Sequence, residues 1–160
     1  GDLVSDWSNN IGILNTFVGG AVTNTAEAAT VISTAGTSVK LNGTFAASDL
    51  QHFSSPINGE LQALGKNPRE YTLVWSFIIE GAADNIYEAR ITRKAVGGGL
   101  TVVATQKRVI NNSLGGDDVG IWGGEAPVIL DQGESVYWQI ANLSGTGNCT
   151  LKNDSGWVLK

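Results

Sequence analysis

The chain has 160 residues and a mass of 16.7 kDa, the size of one ordinary domain; such a chain buries about 70% of the surface its extended form exposes and needs no metal or disulfide staple. Charged residues supply only 16% of it while glycine fills 21 positions, a balance that suits short strands and turns better than long surface helices. A net charge of −5 and a pI near 4.7 leave no basic field for nucleic acid, and no apolar run approaches the roughly 18 residues of a membrane-spanning helix.

In chain order, residues 1–37 are poor in charge, with Trp7, Ile11, Ile13, Leu14, Phe17 and Val18 as the large apolar groups before Val22. TAEAATVIS fits either a helical turn or a short strand followed by a turn. This segment is expected to be an arm or edge that anchors the domain, which then spans 38–160. The N-terminus lacks a basic segment followed by an apolar core, so no signal peptide is expected. A chain that starts with Gly and contains no Met reads as a processed product or a fragment.

From residue 38 the pattern sharpens. SVKLNGTFAA alternates and then meets Asn42-Gly43, a strong hairpin dipeptide; a second Asn-Gly follows at 58–59. EYTLVWSFIIEG is the most apolar segment. Its odd members are Tyr71, Leu73, Trp75, Phe77 and Ile79, and its even members include Val74 and Ile78, so both faces want cover and a central strand is expected. NIYEARITRKA and LTVVATQKRVI form two strands around Gly97-Gly98-Gly99, and the basic pairs they carry, Arg90, Arg93 and Lys94, then Lys107 and Arg108, read as solvated strand faces. VGIWG, APVILD, ESVYWQIANL, NCTLKND and SGWVLK complete eight to ten strands counted from Val39. That many antiparallel strands must close into a barrel or stack as two sheets, and a jelly-roll sandwich is the first choice.

In ESVYWQIAN, Val136, Trp138 and Ile140 share a core face, whereas Tyr137, Gln139 and Ala141 form a face of the composition found between subunits. VILDQGESVYWQI followed by SGWVLK resembles the end of the trimeric jelly rolls of the tumour-necrosis-factor and complement globular-head type. The tail IANLSGTGNCTLKNDSGWVLK, with SVKLNGTFAA and SPINGELQALG upstream, is similar to the small jelly-roll domains of bacteriophage virion proteins: head fibres, decoration proteins and tail-fibre tips. The resemblance covers about 39–160. It implies an all-β, two-sheet antiparallel jelly roll that assembles as a homotrimer on the virion surface, meets other virion proteins through its N-terminal segment, and lines its threefold axis with Tyr71, Trp75, Tyr137, Gln139 and Trp157. On that reading Asp131-Gln-Gly-Glu134 is a structural bend, with Gly133 permitting it and the two acids keeping it solvated.

Chemistry-bearing patterns are sparse. His52 is the only histidine and no G-x-S-x-G elbow exists; Cys149 is the only cysteine, so neither a disulfide nor a Cys-based zinc site is available. Asp117-Asp118 and Asn153-Asp154 are loop acids without an EF-hand frame, and GGAVTNT and AVGGGLT lack the lysine of a phosphate loop. No cofactor, metal or catalytic residue is assigned. Trp75, Trp138 and Trp157 read as interior or interface; Trp122, between glycine-rich turns, is the candidate for an exposed sugar-stacking ring, with Asp117 and Asp118 beside it. Two readings stand: a non-enzymatic virion protein serving in stabilisation or attachment, and a module that binds a cell-surface glycan.

Overall fold

The computed structural model describes residues 18–111 and 118–160. Thirteen strands and no helix make up these residues: β1 (Gly19–Ala26), β2 (Ala29–Thr30), β3 (Val39–Lys40), β4 (Thr44–Gln51), β5 (Phe53–Ser54), β6 (Leu61–Ala63), β7 (Arg69–Glu80), β8 (Ile86–Lys94), β9 (Leu100–Val109), β10 (Val119–Leu130), β11 (Ser135–Asn142), β12 (Cys149–Leu151) and β13 (Gly156–Leu159). They form two antiparallel sheets, the jelly-roll sandwich expected from the strand count.

The first sheet is organised on β7. One edge of β7 pairs with β10 along its whole length, from Arg69↔Leu130 to Glu80↔Val119. The other edge takes β13 at Leu73–Ser76 and β12 at Ile79–Glu80; β1 then joins β13, and β4 joins β1. In the second sheet β11 lies between β8, paired throughout, and a split edge made of β6 and β3, with β9 outside β8 and β5 outside β6.

Between the sheets the period-two rule operates cleanly. Tyr71, Leu73, Trp75, Phe77 and Ile79 of β7 are buried against Val136, Trp138 and Ile140 of β11 and Tyr87, Ala89 and Ile91 of β8. Trp138 lies edge-on to both Phe77 (4.6 Å between ring centres) and Trp75 (5.2 Å), arrangements worth about 1 kcal/mol each beyond the area they bury.

Several sequence expectations are corrected. Of the segment 1–37, expected as an arm or edge leading into a domain that starts at 38, residues 1–17 lie outside the described residues; the part that follows is within the first sheet, with β1 hydrogen-bonded between β13 and β4 and β2 paired with β12. TAEAATVIS forms no helix. Asn42-Gly43 does not close a hairpin, because β3 belongs to the second sheet and β4 to the first. VGIWG and APVILD are one strand, β10: the glycine pair continues it, since a Cβ on Gly124 would meet the Trp75 ring at 2.9 Å. With the two-residue strands β3 and β5 included, eleven strands follow residue 38. Asn58-Gly59 does turn, with Glu60 N–H donating to the Ile57 carbonyl and Gly59 at φ 77°.

Along the side where β9 faces β10, one side chain bridges the sheets. The Gln106 amide accepts from Gly123 N–H (3.2 Å) and donates to the Gly123 carbonyl (2.9 Å), as a neighbouring strand would, and also accepts from Trp75 Nε1 (2.9 Å). Gln106→Ala is expected to lower unfolding free energy by about 2 kcal/mol, because a shielded indole N–H loses its acceptor; urea titration measures this, and an unchanged midpoint would show that the bridge carries no stability.

Candidate interaction surface

The outward face of the first sheet leaves several large apolar side chains uncovered. On β7 the even residues point there, and Ile78 remains 44% exposed; its direct partner across the ladder, Ile121 of β10, is 67% exposed. Ile129 (53%) lies farther along β10, and Val158 of β13 (38%) sits between Val74 and Ala21 in the same cross-strand row. The adjacent row reads Ala46, Thr23, Gly156, Ser76 and Gly123. These small residues leave a trough of about 230 Å3 lined by Ala21, Thr23, Val74, Ser76, Gly156 and Val158, with Asp154 at its rim. Gly156 cannot carry a side chain, since its Cβ would collide with the Val22 carbonyl oxygen.

The residues expected to line a threefold axis lie elsewhere. Tyr71, Trp75 and Trp157 are buried inside a single chain, on the inward side of the strands whose outward side forms the trough. Tyr137 and Gln139 are on the outer face of the second sheet, and their cover is intrachain: Lys40 Nζ and Lys94 Nζ lie 5.4 and 5.8 Å from the Tyr137 ring centre, and both ion-pair with the buried Glu60 (2.8 and 2.6 Å). Gln139 Oε1 accepts from Thr92 Oγ1 (3.3 Å). Beside them Glu88 holds Arg90 (2.6 Å) and Lys107 (3.6 Å), so charge pairs cover the β8–β11 part of this face, while Ile86, Leu100, Val102 and Val109 stay exposed along β8 and β9.

Trp122, expected as an exposed ring, is fully buried, with its Nε1 donating to the Gln106 carbonyl (3.2 Å). An inward parity on β10, which the flanking glycines obscure, decides this. Asp118 is half-buried and its carbonyl accepts from Gly81 N–H (3.0 Å); Asp117 lies outside the described residues. Among the described residues no three His, Cys, Asp or Glu side chains gather as a metal site would require.

The bend at 131–134 joins the first sheet to the second. Glu134 Oε1 accepts from Asp131 N–H (2.7 Å), Asp131 Oδ1 from Gln132 N–H (2.7 Å), and Gly133 adopts φ 83°. Reciprocal backbone bonds with Ala63, from Gly133 N–H (2.8 Å) and to the Glu134 carbonyl (2.9 Å), pin it to β6. Both carboxylates thus serve the turn itself, and Glu134 also faces Arg93 at 3.9 Å.

Cys149 is buried, and that burial pushes its thiol up to about 12. In the unfolded chain a thiol ionises near ~8.5, so the unfolded state sheds its proton first and stability falls as pH rises from there towards 12. Burial raises Tyr71, Tyr87 and Tyr137 in the same direction. Cys149 is expected to resist iodoacetamide at pH 8 in the folded protein and to react in denaturing urea; alkylation of the native protein at the rate of a free thiol would contradict this packing.

The signal for the outward face was present in the sequence as Val74 and Ile78, the even members that called for cover. Ile121, Ile129 and Val158 were missed because their strands are short of context: parity on β10 and β13 is set by pairing to β7, which only the fold supplies.

No protein-family model matches the chain, and no curated protein does. Solved structures do. The tumour necrosis factor Eiger of S. frugiperda is similar to it at a TM-score of 0.62, with 12% identity over 91% of this chain and 92% of that one. Murine APRIL is similar at 0.62 in its pH 5.0 structure, with 8% identity over 89% and 97%, and at 0.60 in its pH 8.5 structure, with 7% identity over 88% and 95%. With strand order, pairing and these likenesses in agreement, the chain has a tumour-necrosis-factor-like jelly-roll fold.

Proposed function

We propose that the chain is a non-enzymatic structural or attachment module that acts as a homotrimer on the surface of a bacteriophage virion, as a decoration protein, head fibre or fibre tip. The observation that carries the self-association is the apolar outward face of the first sheet. Ile78, Ile121, Ile129 and Val158 are exposed on the first sheet around the trough, while Leu100 and Val102 are exposed on the second. Two different patches that meet head to tail close into a ring when the rotation permits, and three copies is the number implied by the tumour-necrosis-factor-type resemblance. Each of these Val and Ile side chains gains about 1 kcal/mol from the remaining area it hides.

The virion setting is supported by the resemblance of the C-terminal tail and of the two Asn-Gly segments to phage head-fibre and tail-fibre domains; residues ahead of β1 then serve as the connection to other virion proteins. The structural neighbours support the fold and no particular setting. A glycan site centred on Trp122 loses its exposed ring to burial.

Light scattering coupled to size exclusion is expected to give a mass near three chains. Ile121→Glu combined with Val158→Glu is expected to shift it to one chain with the far-ultraviolet spectrum unchanged. A parent protein that elutes as one chain would overturn the assembly.

A further inference from the structure

At one end of the sandwich two chain segments cross between the sheets side by side: β4 passes to β5 through His52, and β6 passes to β7 through residues 64–68. Leu64 N–H donates to the His52 carbonyl (2.9 Å) and ties the crossings together. Between them opens a groove of about 330 Å3 lined by Val18, His52, Lys66, Asn67, Arg69 and Tyr71, with Gly65 and Pro68 completing its wall. Among the described residues no carboxylate lines it, in a protein whose net charge is −5.

Its two cations belong, with Arg108 and Lys160, to the minority that no carboxylate of the described residues pairs with. Lys40, Arg90, Arg93, Lys94, Lys107 and Lys152 all ion-pair with carboxylates. Among the described residues, Lys66 and Arg69 have no carboxylate within 4.0 Å. The Arg69 guanidinium stands 5.8 Å from the Tyr71 ring centre, and Phe53 holds that ring from the other direction at 5.0 Å, edge-on. An arginine carried on an aromatic in this way keeps its planar fork of donors for an oxyanion. Within the groove His52, not a glycine, holds a φ of 60°. Such strain gathers where a site needs a fixed side chain.

We propose that this groove binds an acidic saccharide, its carboxylate taken by Arg69 and Lys66 and its hydroxyls by His52 and Asn67. A planar carboxylate matches the arginine fork. Val18, Pro68 and Tyr71 give the apolar wall against which the C–H face of a sugar ring packs, which a bare anion does not need. The acidic remainder of the chain repels extended polyanions at long range, so recognition is confined to a small ligand held at short range. All lining residues come from one chain, and the site therefore stands or falls independently of trimer formation.

The test is isothermal titration of the full chain with glucuronate and galacturonate, with glucose as the neutral control and inorganic phosphate as the bare anion; light scattering on the same sample reads assembly separately. The expected result is saturable binding of a uronate, none of glucose, and about tenfold weakening in Lys66→Gln and in Arg69→Gln, each a lost charge-assisted contact. Lys107→Gln, on β9 away from the groove, is expected to leave the affinity unchanged. Lys66 is an exposed loop residue, so its variant reads the site even if Arg69→Gln folds poorly. Absence of uronate binding, equal binding of glucose, phosphate binding as tightly as the uronate, or indifference to both substitutions would each overturn the proposal.

Discussion

The alternation of side chains along β7 is the constraint on which the rest of the molecule depends. All twelve residues are paired to β10 and six of them also to β13 or β12, so the strand cannot slide, and a shift of one residue would exchange Leu73, Trp75 and Phe77 for Val74, Ser76 and Ile78. The large inward set meets Trp138 and fixes the spacing of the two sheets. The smaller outward set leaves a trough in the sheet, with glycine and serine in the middle of its cross-strand rows. Core and outward surface are thus two products of a single register.

Much of the architecture could be read from the letters because it is local. Alternation in EYTLVWSFIIEG, the turn at Asn58-Gly59, the glycine hairpin after β8 and the bend at Asp131 to Glu134 all rest on neighbours within a few residues. What escaped reading was nonlocal. GGAVTNTA carries no strand signature of its own and becomes β1 because β13 and β4 flank it. Trp122 looked exposed between turns, and its burial depends on the pairing of β10 with β7 and on Gln106 reaching from the other sheet. Tyr71, Trp75 and Trp157 were placed at a threefold axis by the family resemblance, whereas parity assigns them inward and hands the outer face to aliphatic residues. The groove at the sheet crossings had no signal in sequence, since His52, Lys66 and Arg69 are brought together by two separate crossings.

The two outer faces of the sandwich are finished by different physics. On the second sheet, Glu60 and Glu88 each sit beneath two cations, and the lysine stems roof Tyr137. A buried carboxylate shared in this way contributes little net stability, because desolvation offsets the attraction, yet removing one partner is costly. Long side chains with charged tips keep that face wetted while covering its aromatic ring. On the first sheet no comparable network spans the rows through Val74 and Ser76, and apolar groups remain open. The first face is thus left without charge pairing along those rows, whereas on the second the pairs share the surface with exposed Ile86, Leu100, Val102 and Val109.

The placement of β1 has a consequence for synthesis. Its hydrogen-bond partners are β4 on one edge and β13 on the other, with Gly20 opposite Leu159. A ribosome therefore releases the first strand of the sandwich long before the strand that completes its pairing, and β7, the hub, also waits for β13. Contacts of such sequence separation are slow to form, and unpaired strand edges in the interval invite intermolecular association. Closure of the first sheet therefore waits for β13, and until that strand is made β1 and β7 each keep an open edge.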